Sequence, residues 1–327
     1  MIRDPIDVQF EKETGPRKFS YTELALATSN FDAEKKLGEG GFGAVYKGVI
    51  NDLNFNVAVD VVVKKISPES RQGLKEYIAE VQTISALRHR HLVQLIGWCH
   101  EKGEFLLVYK YIPNGSLDTH LFKDTNMLSW EDRYRIVKEL ASVLFYLQEQ
   151  CGDHQYVLHR DIKSSNIMLD LDFTAKLGDF GLAQLLDHGQ PLKTTHAAGT
   201  RGYMAPEYIT TKVATKKSDV YSFGIVALEI ACGRRPSVAT PENGKCDIVE
   251  WVWELYGERK ILQAADPKLS THFDEKQMTW LMVVGLWCAH PDYSNRASIE
   301  QAIEVLNFRA ELPHLPPKMP VATFLPE

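Results

Sequence analysis

The sequence of 327 residues lacks the features that mark several other protein classes. Basic residues are not in excess, because 37 lysines and arginines face 43 acids and the net charge is -6, so nucleic acid is not an expected partner. The five cysteines form no C-x-x-C pair. That scatter is typical of reduced thiols in an intracellular compartment rather than of a disulfide framework.

Long apolar runs are also missing. The N-terminal stretch "MIRDPIDVQFEKETGP" is charged and has no apolar core, so it does not fit a signal peptide. The most apolar helical stretch, "VYSFGIVALEIAC", is too short to span a bilayer and contains Glu229, which predicts a buried core helix. The sequence as written is therefore expected to be cytoplasmic.

The chain divides into regions of different pattern. Residues 1–30 form an N-terminal extension in which Ser20 and Glu23 make a capping box that opens a short helix. Residues 31–108 mix valine-rich runs with one amphipathic helix, and 117–308 are mostly helical by periodicity. Between them, 109–116 end an apolar strand in a Pro-Asn-Gly turn and read as a hinge. Residues 309–327 are proline-rich and predict an extended tail.

A glycine-rich stretch, "LGEGGFGAVYKG", is the first motif with a chemical meaning. Gly38, Gly40 and Gly43 fit G-x-G-x-x-G, and glycines let the backbone approach a phosphate closely. Taken alone the pattern is weak, since glycine-rich turns are common. A dinucleotide-binding fold would open a helix directly after the glycines, whereas the β-rich "AVYKGVI" follows here. That favours a strand–loop–strand flap over ATP.

Three further motifs follow in order: "VLHRDIKSSNIMLD", "LGDFGLA" and "GTRGYMAPEY". With the glycine loop and a lysine-bearing strand, they make the chain resemble a protein kinase domain from roughly Phe31 to Phe308. Longer sequence segments resemble plant receptor-like kinases, most closely the L-type lectin-domain receptor kinases. These segments are "RKFSYTELALATSNF", "LVQLIGWCHE" and "GLWCAHPDYSNRAS". The lectin and membrane-spanning parts of that family are absent from this sequence.

The resemblance implies an α+β, two-lobed protein kinase fold: a β-rich N-lobe with one key helix at 31–108, a hinge at 109–116 and a mainly helical C-lobe at 117–308. It also implies a receptor-like serine/threonine kinase that uses ATP and Mg²⁺ on protein substrates. Receptor or co-receptor kinases are the further partners it implies. A domain that belongs to or associates with a receptor would lie at the cytosolic face of the plasma membrane.

The same resemblance assigns roles to individual residues. Asp161 of H-R-D accepts or orients the proton of the substrate hydroxyl, and Asn166 and Asp179 supply oxygen ligands to Mg²⁺. Lys163 lies near the transferring phosphate and marks Ser/Thr rather than Tyr specificity, with Thr200 supporting it. The residues expected around the adenine are Leu37, Val45, Val62 and Leu169 as a clamp, Tyr109 at the back, and Lys110 and Ile112 through their backbones.

Each apolar member of that adenine set has an alternative interpretation as ordinary core packing. Glu207 and Arg296 match a structural ion pair of the family, and Asp219 matches the acid that braces the H-R-D turn. For regulation, Arg160 is expected to pair with a phosphate on Thr194 or Thr195. The alternative is that these threonines are merely solvated loop residues.

The stretch "NVAVDVVVKKIS" contains a charge conflict. The pattern V-A-I-K aligns with "VVVK" and selects Lys64, but counting forward from Gly48 places Asp60 at the lysine position, because the chain is longer here than in relatives. Residues four apart on a strand share a face, so both could point at the same site. An acid there would meet ATP phosphates and Glu80, which is strongly unfavourable.

We therefore expect Lys64 to pair with Glu80, which borders the apolar stripe of the helix "QGLKEYIAEVQTISAL". Asp60 is expected in the exposed turn before the strand, and Lys65 is expected on the opposite face, solvated. Two alternatives to an active kinase stay open. The chain is a pseudokinase or scaffold if the insertion before Lys64 disables the ATP site, and a dinucleotide enzyme is disfavoured by the strand after the glycines.

Overall fold

The computed structural model describes residues 15–40, 43–52, 57–67, 71–123, 127–152, 154–240 and 244–322. The chain divides into two compact units. The first contains the chain up to Arg88, Leu92–Pro113 and Asp179–Ala183; the second contains His89–His91, Asn114–Gly178 and the chain from Gln184 onward. Within the described ranges, every helix is too short or too polar to cross a membrane.

A six-stranded sheet forms the first unit, in the order β1-β5-β6-β4-β3-β2. Its strands are β1 (Arg17–Lys18), β2 (Lys36–Gly40), β3 (Gly43–Asp52), β4 (Val57–Ile66), β5 (Leu95–Glu101) and β6 (Glu104–Lys110). Neighbouring strands run antiparallel except β1, which lies parallel to β5 at the edge. The valine-rich runs of the sequence thus become central strands, as β-branched residues favour.

The β3–β4 hairpin shows how the extra residues before Lys64 are accommodated. Pairing runs from Gly43 opposite Ile66 to Asp52 opposite Val57 in continuous register. Both strands are 10 residues long. The extra residues expected from the sequence are therefore compatible with unbroken pairing of β3 with β4, in which Val45 lies opposite Lys64.

The N-terminal segment belongs to the core of the first unit. Helix α1 (Tyr21–Ala27) begins with the predicted Ser20–Glu23 capping box. Phe19 and Leu24 are buried with Val61, Val63, Cys99, Leu106 and Val108. At Gly97 an added Cβ would lie 2.1 Å from the carbonyl oxygen of Arg17. Strand β1 can therefore pair closely with β5 only because residue 97 has no side chain.

Helix α2 (Arg71–Ala86) covers one face of that sheet. Tyr77, Val81 and Ile84 of the predicted stripe are buried, and the Tyr77 hydroxyl donates to the carbonyl of Cys99 at 3.1 Å. Glu80 and Glu76 are also buried. A helix that buries two acids on its inner side needs positive or donor groups facing them, because an unpaired buried charge is costly.

The second unit is mainly helical. Its helices are α3 (Leu117–Phe122), α4 (Trp130–Phe145), α5 (Pro206–Thr211), α6 (Lys216–Cys232), α7 (Ile248–Gly257), α8 (Glu275–Cys288) and α9 (Ile299–Leu306). Two-stranded sheets join β7 (Gln155–Leu158) to β10 (Gln184–Asp187), β8 (Ile167–Leu169) to β9 (Ala175–Leu177), β11 (Leu192–Lys193) to β12 (Val213–Ala214), and β13 (Ser237–Thr240) to β14 (Gly244–Asp247).

Helix α6, the predicted buried core helix, packs closely against α8. A Cβ at Gly224 would lie 2.7 Å from the carbonyl oxygen of Gly285, so the two glycines allow the backbones to approach. Nearby, Arg296 binds Glu207 through two bonds of 2.6 and 2.9 Å with both side chains buried. This is the ion pair that the sequence predicted.

Glu229 of α6 is fully buried, and the Tyr203 hydroxyl donates to its Oε1 at 2.7 Å. Among the residues that the structure describes, its Oε2 has no hydrogen-bond partner. Burial raises the pKa of Glu229 from 4.5 to about 8. Since the folded-state pKa lies above the unfolded value, the unfolded chain ionises first. The free energy of unfolding is therefore expected to fall as the pH rises from about 4.5 towards 8.

Glu229→Gln removes this titration while keeping the side-chain size. The stability of the variant relative to the wild type is expected to rise between pH 5 and pH 8, by on the order of 3 kcal/mol. Urea denaturation at both pH values measures it, with exposed Glu254→Gln as the control. A relative stability of Glu229→Gln that is the same at both pH values would contradict the assignment.

Candidate active site

The H-R-D turn follows β7 and is held by a buried carboxylate from α6. Asp219 accepts the backbone N–H groups of His159 at 2.7 Å and Arg160 at 2.9 Å, one on each oxygen. Arg160 has a left-handed backbone, with φ of 69°. Burial raises the pKa of Asp219, while the two N–H donors favour its charged form. The predicted bracing contact is thus present, and it fixes a turn that ordinary residues rarely adopt.

Three predicted residues of the second unit, Lys163, Thr200 and Asn166, meet around the carboxylate of Asp161. Lys163 Nζ lies 2.7 Å from Asp161 Oδ2 and 2.8 Å from the Thr200 hydroxyl oxygen. Thr200 donates its N–H and its hydroxyl to Asp161 Oδ1, at 2.9 and 2.7 Å. Asn166 Nδ2 donates to Asp161 Oδ2 at 3.2 Å. A carboxylate, a cation and a hydroxyl are thereby fixed at one point, which suits proton transfer from a hydroxyl.

The predicted Mg²⁺ ligands offer oxygen donors in both units. The Asn166 amide nitrogen is used by Asp161, which leaves its carbonyl oxygen for a ligand. Asp179 belongs to the first unit and carries a carboxylate. Across the described residues, no group of three or more His, Cys, Asp or Glu side chains could hold a metal ion by itself. The amide oxygen of Asn166 and the carboxylate of Asp179 are each a type of ligand that Mg²⁺ accepts, since this ion binds through one or two protein oxygens together with substrate phosphates.

In the first unit, Lys64 lies between two acids. Its Nζ is 3.0 Å from Glu80 Oε2 and 2.8 Å from Asp179 Oδ1. Burial alone would lower the pKa of Lys64, but the two carboxylates outweigh it and hold the pKa above its ordinary value. The ammonium therefore stays charged at physiological pH. The predicted pairing of Lys64 with Glu80 is present in the structure.

The second oxygen of Glu80 has partners that the sequence did not reveal. The hydroxyl of Tyr109 and the backbone N–H of Phe180 both donate to Glu80 Oε1. Desolvation and the neighbouring carboxylate raise the pKa of Tyr109, so its phenol keeps the proton that it donates. Sequence reasoning placed Tyr109 only at the back of a pocket. The available signal was one polar hydroxyl at the end of the apolar run "FLLVY" on β6.

The expected position of Asp60 was wrong in one respect. Asp60 lies inside β4, opposite Val49, and not in the preceding turn, because β4 already begins at Val57. Its carboxylate is nevertheless half exposed and lies 3.1 Å from Lys47 Nζ. The acid is thus paired and hydrated and does not occupy the position of Lys64 beside Glu80.

Lys65 also differs from the expectation of a solvated side chain. It is only 27% exposed, its Nζ lies 2.8 Å from Glu104, and it stands 4.9 Å from the centre of the Phe31 ring. The strand alternation predicted its face correctly, but it could not show that a carboxylate and an aromatic ring lie there.

The glycine motif forms the end of the β2–β3 hairpin, where Gly40 pairs with Gly43 and Gly38 with Val45. The strand expected after the glycines is therefore present, while Gly41 and Phe42 lie outside the described residues. At Gly43 an added Cβ would meet the Lys65 carbonyl oxygen at 1.9 Å, and its φ is 144°. At Gly38 no atom of the described part of the chain lies within 4 Å of an added Cβ. Gly43 is thus required by the sheet itself, and Gly38 leaves open space.

The residues predicted around adenine are distributed over both units. Leu37 is 51% exposed on β2, and Val45 and Val62 are half-buried on β3 and β4. Ile112 is buried in the first unit, and Lys110 ends β6 with its side chain exposed. Leu169 is buried on β8 of the second unit.

The predicted regulatory residues do not behave alike. Thr194 donates its hydroxyl to the carbonyls of His196 and Lys212, at 2.9 and 3.1 Å. Thr195 is exposed. Arg160 Nη2 lies 2.9 Å from the Tyr208 hydroxyl. Of the two threonines, Thr195 is therefore the more exposed, while the hydroxyl of Thr194 is engaged by two carbonyl groups.

Comparison with known proteins agrees with this geometry. The protein kinase domain family matches residues 31–306. The chain is 55% identical over 324 residues to the L-type lectin-domain containing receptor kinase IX.1 of Arabidopsis thaliana, covering 98% of this chain and 48% of that protein. For the receptor kinase IX.2 of the same plant the identity is 54% over 328 residues, with the same coverage.

The L-type lectin-domain containing receptor kinase SIT1 of Oryza sativa subsp. japonica is 46% identical over 308 residues, covering 94% of this chain and 45% of that protein. The chain thus spans about half the length of the curated relatives it matches, 48% for the first two. Its match over most of its length, with the H-R-D and D-F-G residues in the contacts described above, places it in one family: the chain belongs to the protein kinases.

Proposed function

We propose that this chain is an ATP-dependent serine/threonine kinase that transfers the γ-phosphoryl group to hydroxyls of protein substrates. A protein kinase domain implies ATP as co-substrate and Mg²⁺. The observation that carries the proposal is the Asp161–Lys163–Thr200 network, which places an acceptor for a hydroxyl proton beside a fixed cation.

In this mechanism Asp161 takes the proton of the substrate hydroxyl as its oxygen attacks the γ-phosphorus. The bond from that phosphorus to the bridging oxygen of ADP breaks, and ADP leaves with the electron pair. Lys163 stabilises the charge on the transferring group. Thr200 fixes the side chains of Lys163 and Asp161 relative to each other, since its hydroxyl contacts both.

Lys64 is proposed to hold the α- and β-phosphates. Its contact with the buried Glu80 fixes the ammonium, and Tyr109 fixes Glu80 in turn. Asn166 and Asp179 would hold Mg²⁺ through their side-chain oxygens, and the ion would supply charge neutralisation of the phosphates.

The proposed cellular role of this kinase domain is receptor-like signalling. The relatives named above are receptor kinases, so we infer that this domain acts at the cytosolic face of the plasma membrane, with other receptor kinases among its partners. The pseudokinase alternative rested on the insertion. Because β3 and β4 pair in continuous register from Asp52 to Gly43, that support is removed.

Asp161→Ala is expected to abolish most phosphoryl transfer and to leave MgATP binding nearly unchanged, since Asp161 serves the hydroxyl and not the nucleotide. The loss is on the order of a hundredfold or more. Phosphate incorporation into a Ser/Thr peptide and a calorimetric ATP titration measure the two effects. The exposed Asp172→Ala is the matched control. Near-normal turnover of Asp161→Ala would refute the assignment.

Lys64→Met removes a preorganised charge and is expected to lower transfer by on the order of a hundred- to a thousandfold. Lys65→Met is the matched control one residue away on the opposite face, where it removes a pair with Glu104. Asp60→Ala removes an exposed pair and should cost activity little. A wild type that incorporates no phosphate but binds partners would instead support the scaffold.

Regulation is expected to use Thr195. A phosphate there adds nearly two negative charges, which Arg160 can pair with to order the loop. Mass spectrometry of active enzyme should find phosphate on Thr195 in preference to Thr194, whose hydroxyl is engaged. Thr195→Ala should lower activity severalfold, and treatment of the wild type with phosphatase should do the same. Active enzyme without phosphate between Leu185 and Thr200 would exclude this mode of control.

A further inference from the structure

The proline-rich tail lies on helix α7. Trp253 Nε1 donates to the carbonyl of Pro316 at 2.9 Å. The Tyr256 hydroxyl lies 3.3 Å from the carbonyl oxygen of Leu315 and accepts the N–H of the same residue at 3.2 Å. An added Cβ at Gly257 would lie 2.0 Å from the carbonyl oxygen of Pro317. Three consecutive tail residues are thus contacted through their main chain.

The helix residues have the spacing that such a site requires. Positions i, i+3 and i+4 of a helix lie on one face, so Trp253, Tyr256 and Gly257 present two donors and a gap side by side. Trp253 is fully buried, and its ring stands 5.5 Å from the His290 ring. The donor facing Pro316 is therefore part of the packed interior of the folded chain.

Gly257 ends α7 and is not needed for backbone conformation. It is not among the glycines with positive φ, so an L-residue could adopt its backbone angles. What excludes a side chain is the Pro317 carbonyl oxygen at 2.0 Å. The glycine therefore serves the close approach of the tail to the helix.

The tail is suited to being held this way. Residues 311–320 contain neither helix nor strand. Prolines at 313, 316, 317 and 320 fix their own φ and keep the preceding residues extended, so little conformational entropy is lost on binding. Extended proline-rich chains have free carbonyl groups, and aromatic side chains with a polar tip are the usual donors to them.

We propose that α7 carries a binding site for an extended Leu-Pro-Pro main chain, and that its occupant is the chain's own tail, Glu311–Pro320. The site is formed by Trp253, Tyr256 and Gly257 and is independent of phosphoryl transfer. The tail is then a bound ligand of the second unit and not a loose appendage. Its exposed side chains, among them His314 and Lys318, remain accessible on the outer side.

The test uses the full chain and the rate of native tryptic cleavage after Lys318, divided by the rate for the same bond in a synthetic peptide. Gly257→Ala should increase this rate about tenfold or more, because an ordered interior does not accommodate such an overlap. Tyr256→Phe should increase it about fivefold by removing one hydrogen-bonding group. The exposed Glu254→Ala on the same helix should leave it unchanged.

If Gly257 serves only the backbone of α7, the cleavage rate is not expected to change in Gly257→Ala. Alanine favours a helix over glycine, so without a bound tail Gly257→Ala would only strengthen α7 and leave cleavage unaffected. That outcome overturns the proposal. The ligand side is tested by Pro316→Gly, which loosens the tail and should speed cleavage severalfold. In the double variant Pro316→Gly with Gly257→Ala, the cleavage rate should be no higher than in Gly257→Ala alone. If the two increases in rate are additive, the substitutions act through unrelated causes, and the proposal is overturned.

Discussion

The buried carboxylate of Glu80 is the group on which the arrangement of the first unit depends. It is 1% exposed and cannot be left unpaired. Lys64 supplies the countercharge on one oxygen, and Tyr109 and the Phe180 N–H occupy the other. Helix α2, strands β4 and β6 and the D-F-G segment are thereby tied to one group. Moving any of them would expose a charge to an apolar interior, which is why the proposed phosphate-binding lysine has one position.

In the second unit, Asp219 is the buried carboxylate that holds its surroundings in place. A buried acid on the central helix α6 accepts two backbone N–H groups of the H-R-D turn and so holds a left-handed Arg160. The strain in that turn is offset by charge-assisted hydrogen bonds. The consequence reaches the chemistry, because the next residue is Asp161, whose carboxylate then meets Lys163 and Thr200. In both units a buried acid positions the charged group that is proposed to act on phosphate.

Motifs with fixed internal spacing allowed the positions of many candidate site residues to be predicted from the sequence. H-R-D-x-K-x-x-N places Asp161, Lys163 and Asn166 within one turn, and strand alternation gave Lys64 and Lys65 opposite faces. Contacts between residues distant in sequence could not be predicted in this way. Alternation indicates a face but not how far a strand extends, so Asp60 was expected in a turn. A two-residue strand such as β1 and a hydroxyl such as that of Tyr109 have no periodic signal. Their contacts, with β5 and with Glu80, form only in the folded chain.

The first and last segments that the structure describes, residues 17–27 and 311–320, also depend on partners distant in sequence. The sequence predicted a short helix opened by Ser20 in the first segment and an extended tail in the second, but not what either segment contacts. What fixes them is a glycine on the element they cover: Gly97 leaves room for β1, and Gly257 leaves room for Pro317. Neither glycine has a left-handed φ that would explain it. At these two positions the glycine is thus explained by the close approach of another stretch of main chain and not by its own backbone angles.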